Sequence, residues 1–199
     1  MVGVTPVFAD TTIDNFESYA DGQIIGPNAT SSPWRRFGGA TNDNVMATRD
    51  ERWVIRGDGS VLYGLVWPGS FGAVRYVFDK PTDLSPNNYV KVKMRSGSNT
   101  TYTQVRLAIS NGSTTYVSVA NLPLSRQVQQ LVFKLGPNHL SKNIGHDTYK
   151  QVIQGATTIG FDFRNVEDEG YETIVFDDFT LRSHVSGPDS PAKKVSSLD

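Results

Sequence analysis

Thr173-Ile174-Val175-Phe176-Asp177-Asp178-Phe179-Thr180-Leu181 reads as a β-strand with two adjacent carboxylates set into it. Strand side chains alternate between faces, so Val175, Asp177, Phe179 and Leu181 are expected on one face. Phe179 and Leu181 mark that face as the core side. Asp177 then points inward, where an ionised carboxylate is costly unless it is paired or bound to a metal. The position calls for a cation. Near the other end, Ile13-Asp14-Asn15-Phe16-Glu17-Ser18-Tyr19 forms a short strand with its own acidic cluster. If the first and last strands are neighbours, Glu17 and Asp177 can supply oxygen ligands to one calcium ion, with Asp178 as substitute if the register shifts by one.

Outward from this strand, apolar alternation broken by turn signals dominates. Strands are predicted over 12–17, 45–48, 53–56, 60–66, 73–78, 89–95, 103–110, 114–119, 128–134, 158–164 and 172–181. Gly57-Asp58-Gly59, Pro68-Gly69-Ser70, Ser96-Gly97-Ser98-Asn99 and Asn111-Gly112-Ser113 separate them, and Asn111-Gly112 between two β-branched runs signals a hairpin. A strand and turn about every ten residues is the rhythm of a sandwich or jelly roll. One helical turn or two is expected over 146–154, with Asp147 as N-cap and Gly155 as the stop.

A chain of 199 residues with net charge −1 and no cysteine fits a single all-β domain without a disulfide scaffold or thiolate metal site. The balanced charge argues against a general nucleic-acid or polybasic membrane binder, and no apolar run approaches the roughly 20 residues of a membrane helix. Val7-Phe8-Ala9 before Asp10 fits the end of a signal-peptidase site, so residues 1–10 read as a leader or signal-peptide remnant, an ordinary disordered leader being the alternative. Residues 11–183 read as the β-sandwich module, and 184–199, with Ser, Gly, Pro and Lys and no core pattern, as a linker or disordered tail.

The opening Asp14-Asn15-Phe16-Glu17 and the closing Phe176-Asp177-Asp178-Phe179-Thr180-Leu181 resemble the ends of calcium-bearing β-jelly-roll carbohydrate-binding modules of the galactose-binding-like sandwich type. Ile159-Gly160-Phe161-Asp162-Phe163 is similar to the penultimate core strand of such modules. The resemblance implies an all-β, two-sheet β-sandwich of jelly-roll topology with one structural calcium. It also implies a bacterial protein that is secreted or at the cell surface or periplasm. Such modules bind polysaccharide as monomers and are attached to a catalytic domain that degrades it.

Sugar recognition uses flat aromatic faces and planar polar groups. The aromatic candidates are Trp34, Trp53, Trp67, Tyr63, Tyr76, Tyr102 and Tyr116. Each alone reads first as core, although Trp34 fits a core plug or a binding face equally. Together they exceed what the inward faces need, and Trp67, at a strand end before Pro68, suits a loop-borne platform. Alternation puts Arg75 with Ala73 and Val77, and Arg106 with Gln104 and Ala108. Arg95 lines up with Lys91 and Lys93. If the strands over 89–95 and 103–110 are adjacent, Lys91, Lys93, Arg95, Gln104 and Arg106 share a face suited to an acidic or sulfated polysaccharide. A solvated outer face with screened charge is the alternative.

Catalysis finds little support in the residues. His139, His146 and His184 fall in loops or the tail, and Glu167-Asp168-Glu169 is contiguous beside Gly170, so its side chains diverge. No Glu-x-Asp-x-Glu strand offers the facing carboxylates a sandwich glycosidase needs, and no Gly-x-Ser-x-Gly elbow is present. The chain therefore reads as a binding module rather than an enzyme. A jelly-roll polysaccharide lyase or glycoside hydrolase, or an exported adhesion domain, stands as the alternative. Arg56-Gly57-Asp58 matches an adhesion tripeptide but is explained as a turn.

Overall fold

A computed structural model describes residues 10–25, 32–37, 45–65, 71–97, 103–165 and 172–183. In chain order the elements are β1 (Thr11–Asp14), β2 (Trp34–Phe37), β3 (Val45–Thr48), β4 (Ser60–Leu65), β5 (Phe71–Thr82), β6 (Tyr89–Ser96) and β7 (Thr103–Ser110). There follow β8 (Thr115–Ser118), β9 (Leu122–Pro123), β10 (Gln129–Lys134), β11 (Leu140–Ile144), α1 (Tyr149–Gln154), β12 (Ala156–Asn165) and β13 (Glu172–Arg182). They form two antiparallel sheets. A six-stranded sheet runs β10-β6-β13-β4-β3, with β1 pairing the distal half of β13, and a seven-stranded sheet runs β11-β8-β7-β12-β5-β2, with β9 on β7. The expected all-β two-sheet sandwich is what the chain adopts.

The core lies between the sheets, where alternate residues of each strand meet. Trp34, Phe16, Phe161, Phe163, Phe176 and Phe179 are all fully buried there. Their rings pack at angles, with centroids 5.4 Å apart for Phe16 and Phe176 and 4.9 Å for Phe161 and Phe179. Trp34 is thus a core plug. Its indole N–H is satisfied by Asp14 Oδ2 at 2.8 Å, and the same carboxylate accepts from the Tyr19 hydroxyl and the Phe16 N–H, each also at 2.8 Å. Asp14 ties β1, the following turn and β2 together. Replacing Asp14 with alanine leaves a buried indole donor unpaired and is expected to lower stability by about 2 kcal/mol, with asparagine recovering part of the loss, read by urea denaturation.

The last strand departs from simple alternation. Asp177 pairs with Lys93 and Thr180 with Lys91, so three steps along β13 match two along β6. Asp178 is the extra residue, with φ of 52°, a left-handed conformation that a short polar side chain tolerates. The bulge inverts parity: Ile174, Phe176, Phe179 and Leu181 all reach the core, and Asp177 lies on the opposite face with Lys93. The expectation that Asp177 shares the core face with Phe179 is corrected accordingly. Asp177 is nevertheless buried, at 1% exposure.

Other expectations shift locally. Residues 51–53 form a turn, and Arg56 makes only an isolated bridge to Gly59, so no strand covers 53–56. The helix is capped by Thr148, whose side chain exchanges hydrogen bonds with Gln151 in a capping box, and not by Asp147. Asp147 instead accepts from Asn111, Ser113 and Thr114, locking the β7–β8 hairpin loop. Of the predicted leader over 1–10 all but Asp10, and the whole predicted tail over 184–199, lie outside the described residues.

Candidate functional site

The outer face of the seven-stranded sheet carries a buried charge network. Along β12, Ile159, Phe161 and Phe163 enter the core, so Asp162 points the other way, at 3% exposure. In register it stands opposite Ala73 of β5 and Arg106 of β7. Arg75, itself 6% exposed, pairs with Asp162 through Nη2 and donates from Nη1 to the Phe161 carbonyl at 2.5 Å. Gly160 pairs directly with Arg75 and puts no side chain between the guanidinium and Asp162. A Cβ there would collide with the Val74 carbonyl oxygen, which is why this position takes glycine. Arg106 approaches the second carboxylate oxygen at 3.5 Å and keeps about a third of its side chain in solvent.

Around this network the surface is shaped and mixed. A depression of about 350 Å³ is lined by Phe71, Ala73, Arg75, Ser110, Thr115, Asn143, Thr158 and Asp162. Phe71 and Asp162 also border a smaller hollow of about 70 Å³ with Gln104, Arg106, Asn121 and Arg164. Phe71 is 42% exposed, an aromatic face beside planar guanidinium and amide groups. An apolar platform next to forked donors, held by an internal ion pair, suits a ligand that combines C–H faces with paired hydroxyls.

The predicted binding residues divide between two surfaces. Arg75, Arg106 and Gln104 gather on this face. Lys93 and Arg95 do not, because β6 belongs to the six-stranded sheet and β7 to the other, so the single Lys91-to-Arg106 face is not formed. Lys93 pairs with Asp178 at 2.6 Å, and Arg95 stacks over Trp53 at 5.3 Å. Tyr116 is a core residue at 8% exposure, because it pairs with Ile109 and shares its inward face. Trp67 and Tyr102 lie outside the described residues. Phe71 was not anticipated: a phenylalanine opening a strand reads as core, and only its parity with Ala73 and Arg75 places it outside.

The acidic corner also differs from expectation. The Asp178 carboxylate is held by Lys93 and by Arg56 at 3.0 Å. Burial opposes its charge, but these two cations outweigh it and hold its pKa below the usual range. Asp178 is therefore committed to an ion pair. Asp177 accepts from the Asp178 N–H at 2.6 Å through Oδ1, while its buried Oδ2 has no hydrogen-bond partner. Burial, helped by the Asp178 and Glu17 charges, pushes Asp177 up to about 7 against the opposing pull of the Asp178 N–H and Lys93. Glu17 packs its carboxylate on Gly57, whose φ is 60°, and accepts from the Asp58 N–H at 2.9 Å. In the adhesion-like tripeptide the Arg56 side chain is thus paired with Asp178 of β13, and the Asp58 backbone is held by Glu17. Among the described residues no group of three or more His, Cys, Asp or Glu is arranged to hold a metal. For calcium, an orphaned buried oxygen on Asp177 with Glu17 close by fits an oxygen-ligated cation, and Asp178 does not.

No family model matches the chain, and no curated protein does. Solved structures do. The family 11 carbohydrate-binding module of the cellulosomal cellulase Lic26A-Cel5E of Clostridium thermocellum aligns over 92% of this chain and 99% of its own, at 11% identity and a TM-score of 0.59. A family 30 carbohydrate-binding module aligns over 95% of each chain, at 15% identity and a TM-score of 0.55. An exo-β-agarase matches through 24% of its length, covering 81% of this chain, at 10% identity and a TM-score of 0.53. The chain has the β-sandwich fold of carbohydrate-binding modules, a fold that also occurs as part of larger enzymes.

Proposed function

We propose that this protein is a non-catalytic carbohydrate-binding module that holds a polysaccharide on the outer face of its seven-stranded sheet. The observation that carries the reading is the exposed Phe71 beside the Arg75–Asp162–Arg106 network, set in a surface depression. Its fold neighbours support it: one family 11 module was solved in complex with a β-1,3-1,4-mixed-linked tetrasaccharide. In this reading the module works outside the cytoplasm as a monomer, attached to a polysaccharide-degrading enzyme whose local concentration at the substrate it raises. Asp162 is the lone acidic group among the described residues lining these two hollows, and its carboxylate is committed to two arginines. Among those residues no pair of facing carboxylates is set for glycoside hydrolysis. Titration calorimetry against neutral and acidic polysaccharides tests the assignment. Phe71→Ala and Arg106→Ala are each expected to weaken binding about tenfold with the fold intact, since anchors of this kind contribute more than 1 kcal/mol. Unchanged affinity in both variants would place the site elsewhere.

A structural calcium at Glu17 and Asp177 belongs to the same proposal. These two carboxylates would hold the ion, with backbone or water oxygens completing the 6–8 ligands calcium takes. Bound there, calcium would neutralise the buried Asp177 charge and join the turn after β1 to β13.

A further inference from the structure

We infer that the outer face of the six-stranded sheet is a second, separate binding surface, one that takes the carboxylate or sulfate groups of a polyanionic polysaccharide. The inference rests on the polysaccharide reading above and assigns a chemical class to it. A depression of about 320 Å³ crosses β6 and β13 on this side of the sandwich. Its charged lining is Arg56, Lys91, Lys93, Arg182, Asp10 and Asp178, four cations against two carboxylates. The carboxylates are fully engaged. Asp10 pairs with Arg182 at 2.8 Å, and Asp178 with both Lys93 and Arg56. An excess of two positive charges remains in a protein whose overall charge is −1, so the patch is local and not a general property of the chain.

Lys91 carries one of those two charges, and the other is shared by Lys93 and Arg56 around Asp178. Lys91 has no ion-pair partner among the described residues, and it stands between Val132 on one neighbouring strand and Thr180 on the other. Burial and the nearby Arg182 charge lower its pKa and Asp10 only partly opposes them, so its ammonium is under-compensated in this groove. An oxyanion is the ligand that completes its compensation.

The spacing points to a polymer over an isolated ion. Lys91, Lys93 and Arg95 fall at alternate positions of one strand, about 6.5–7 Å apart along it, with Lys91 unpaired, Lys93 shared with Asp178 and Arg95 lying over Trp53 beyond the groove. Such a row matches charges that recur along a chain. Because the face lies across the sandwich from Phe71 and Arg106, a neutral backbone and an anionic chain are read by different surfaces of the same module.

Affinity electrophoresis of the full chain tests this in gels containing mixed-linked β-glucan, polygalacturonate or dextran sulfate. The proteins compared are wild type, Lys91→Met, Phe71→Ala and Lys150→Met, the last removing an exposed charge on α1. Lys91→Met removes an under-compensated cation and is expected to keep or raise the thermal midpoint, so misfolding does not confuse the result. The expected outcome is about tenfold weaker retardation of Lys91→Met by the acidic polymers, as for a lost charge-assisted contact. Neutral-gel behaviour stays unchanged, and Lys150→Met behaves as wild type. Equal weakening of Lys91→Met and Lys150→Met, or none in either, overturns the site, because binding is then diffuse or absent. Free sulfate or galacturonate competing as well as the polymer overturns the polymeric ligand in favour of a small-anion site. Retardation by the neutral gel alone defeats this inference and leaves the first face standing. Retardation by none of the three defeats the polysaccharide reading itself.

Discussion

Asp162→Ala is expected to destabilise the protein by about 3–5 kcal/mol, the largest loss of any single polar substitution on the seven-stranded sheet. The reason is what it leaves behind. Arg75 is 6% exposed and cannot shed its proton, so without Asp162 its charge stays buried beside the Val74 and Phe161 carbonyls and loses the carboxylate that neutralises it. For a domain of this size the thermal midpoint should fall by roughly 10 °C. Replacing both partners, as Arg75→Met with Asp162→Leu, is expected to recover most of the stability, because no orphan charge remains. A double-mutant cycle under urea denaturation separates the two cases. A loss below about 1 kcal/mol for Asp162→Ala would mean that solvent reaches Arg75 and the network is an ordinary surface pair. The same double variant should bind sugar less well despite its stability, since Arg106 then loses the carboxylate that orients it.

Asp177 carries the second large effect, and its sign runs the other way. Its folded pKa of about 7 lies above the usual carboxylate value of about 3.9, so the native state binds this proton more tightly than the unfolded chain. With calcium chelated, stability should therefore fall as pH rises from about 4 to 7, by an amount on the order of 3 kcal/mol from this group. Asp178, held below its ordinary range, contributes in the opposite sense and only as pH falls below about 4. Asp177→Asn should flatten the decline between pH 4 and 7 and raise the chelated protein's thermal midpoint at pH 8. Calcium should raise the wild-type midpoint at pH 8 and leave that of Asp177→Asn nearly unmoved. If calcium has no effect on the wild type, the metal assignment fails. If the pH slope survives the substitution, Asp177 is not its source.

Much of the architecture was legible because each core strand alternates cleanly. Val105, Leu107 and Ile109 on β7 and Val74 and Tyr76 on β5 read inward, and Arg75, Arg106 and Gln104 read outward, as the structure has them. Parity is a local property. It failed at Asp178, where one added residue exchanged the two faces of β13, and no residue type there announces a bulge. Sheet membership is not local at all. β6 and β7 are consecutive, and consecutive strands usually pair, but the chain crosses here to the opposite sheet and carries Gln104 and Arg106 away from Lys93 and Arg95. The short strands β2, β9 and β11 were missed because they hold few apolar residues and take their hydrogen bonds from a stronger neighbour. Phe71 shows the same limit for the site. Its exposure depends on which residue the strand starts from, and alternation alone does not fix that start.

The place of β13 has a consequence for how the protein is made. This strand sits at the middle of the six-stranded sheet, with β6 along one edge and β4 and β1 sharing the other. A ribosome delivers it after every other strand of the fold. Until then β1, β4 and β6 have no common partner, and the carbonyls and amides they will pair with β13 stay open to any passing strand. The sandwich lacking only β13 can close its seven-stranded layer through β12, but Phe16, Trp34 and Phe161 wait for Phe176 and Phe179 to seal them from water. Folding is thus expected to complete only when the last strand emerges, and a chain halted before residue 172, lacking β13, is expected to be aggregation-prone and not a smaller module.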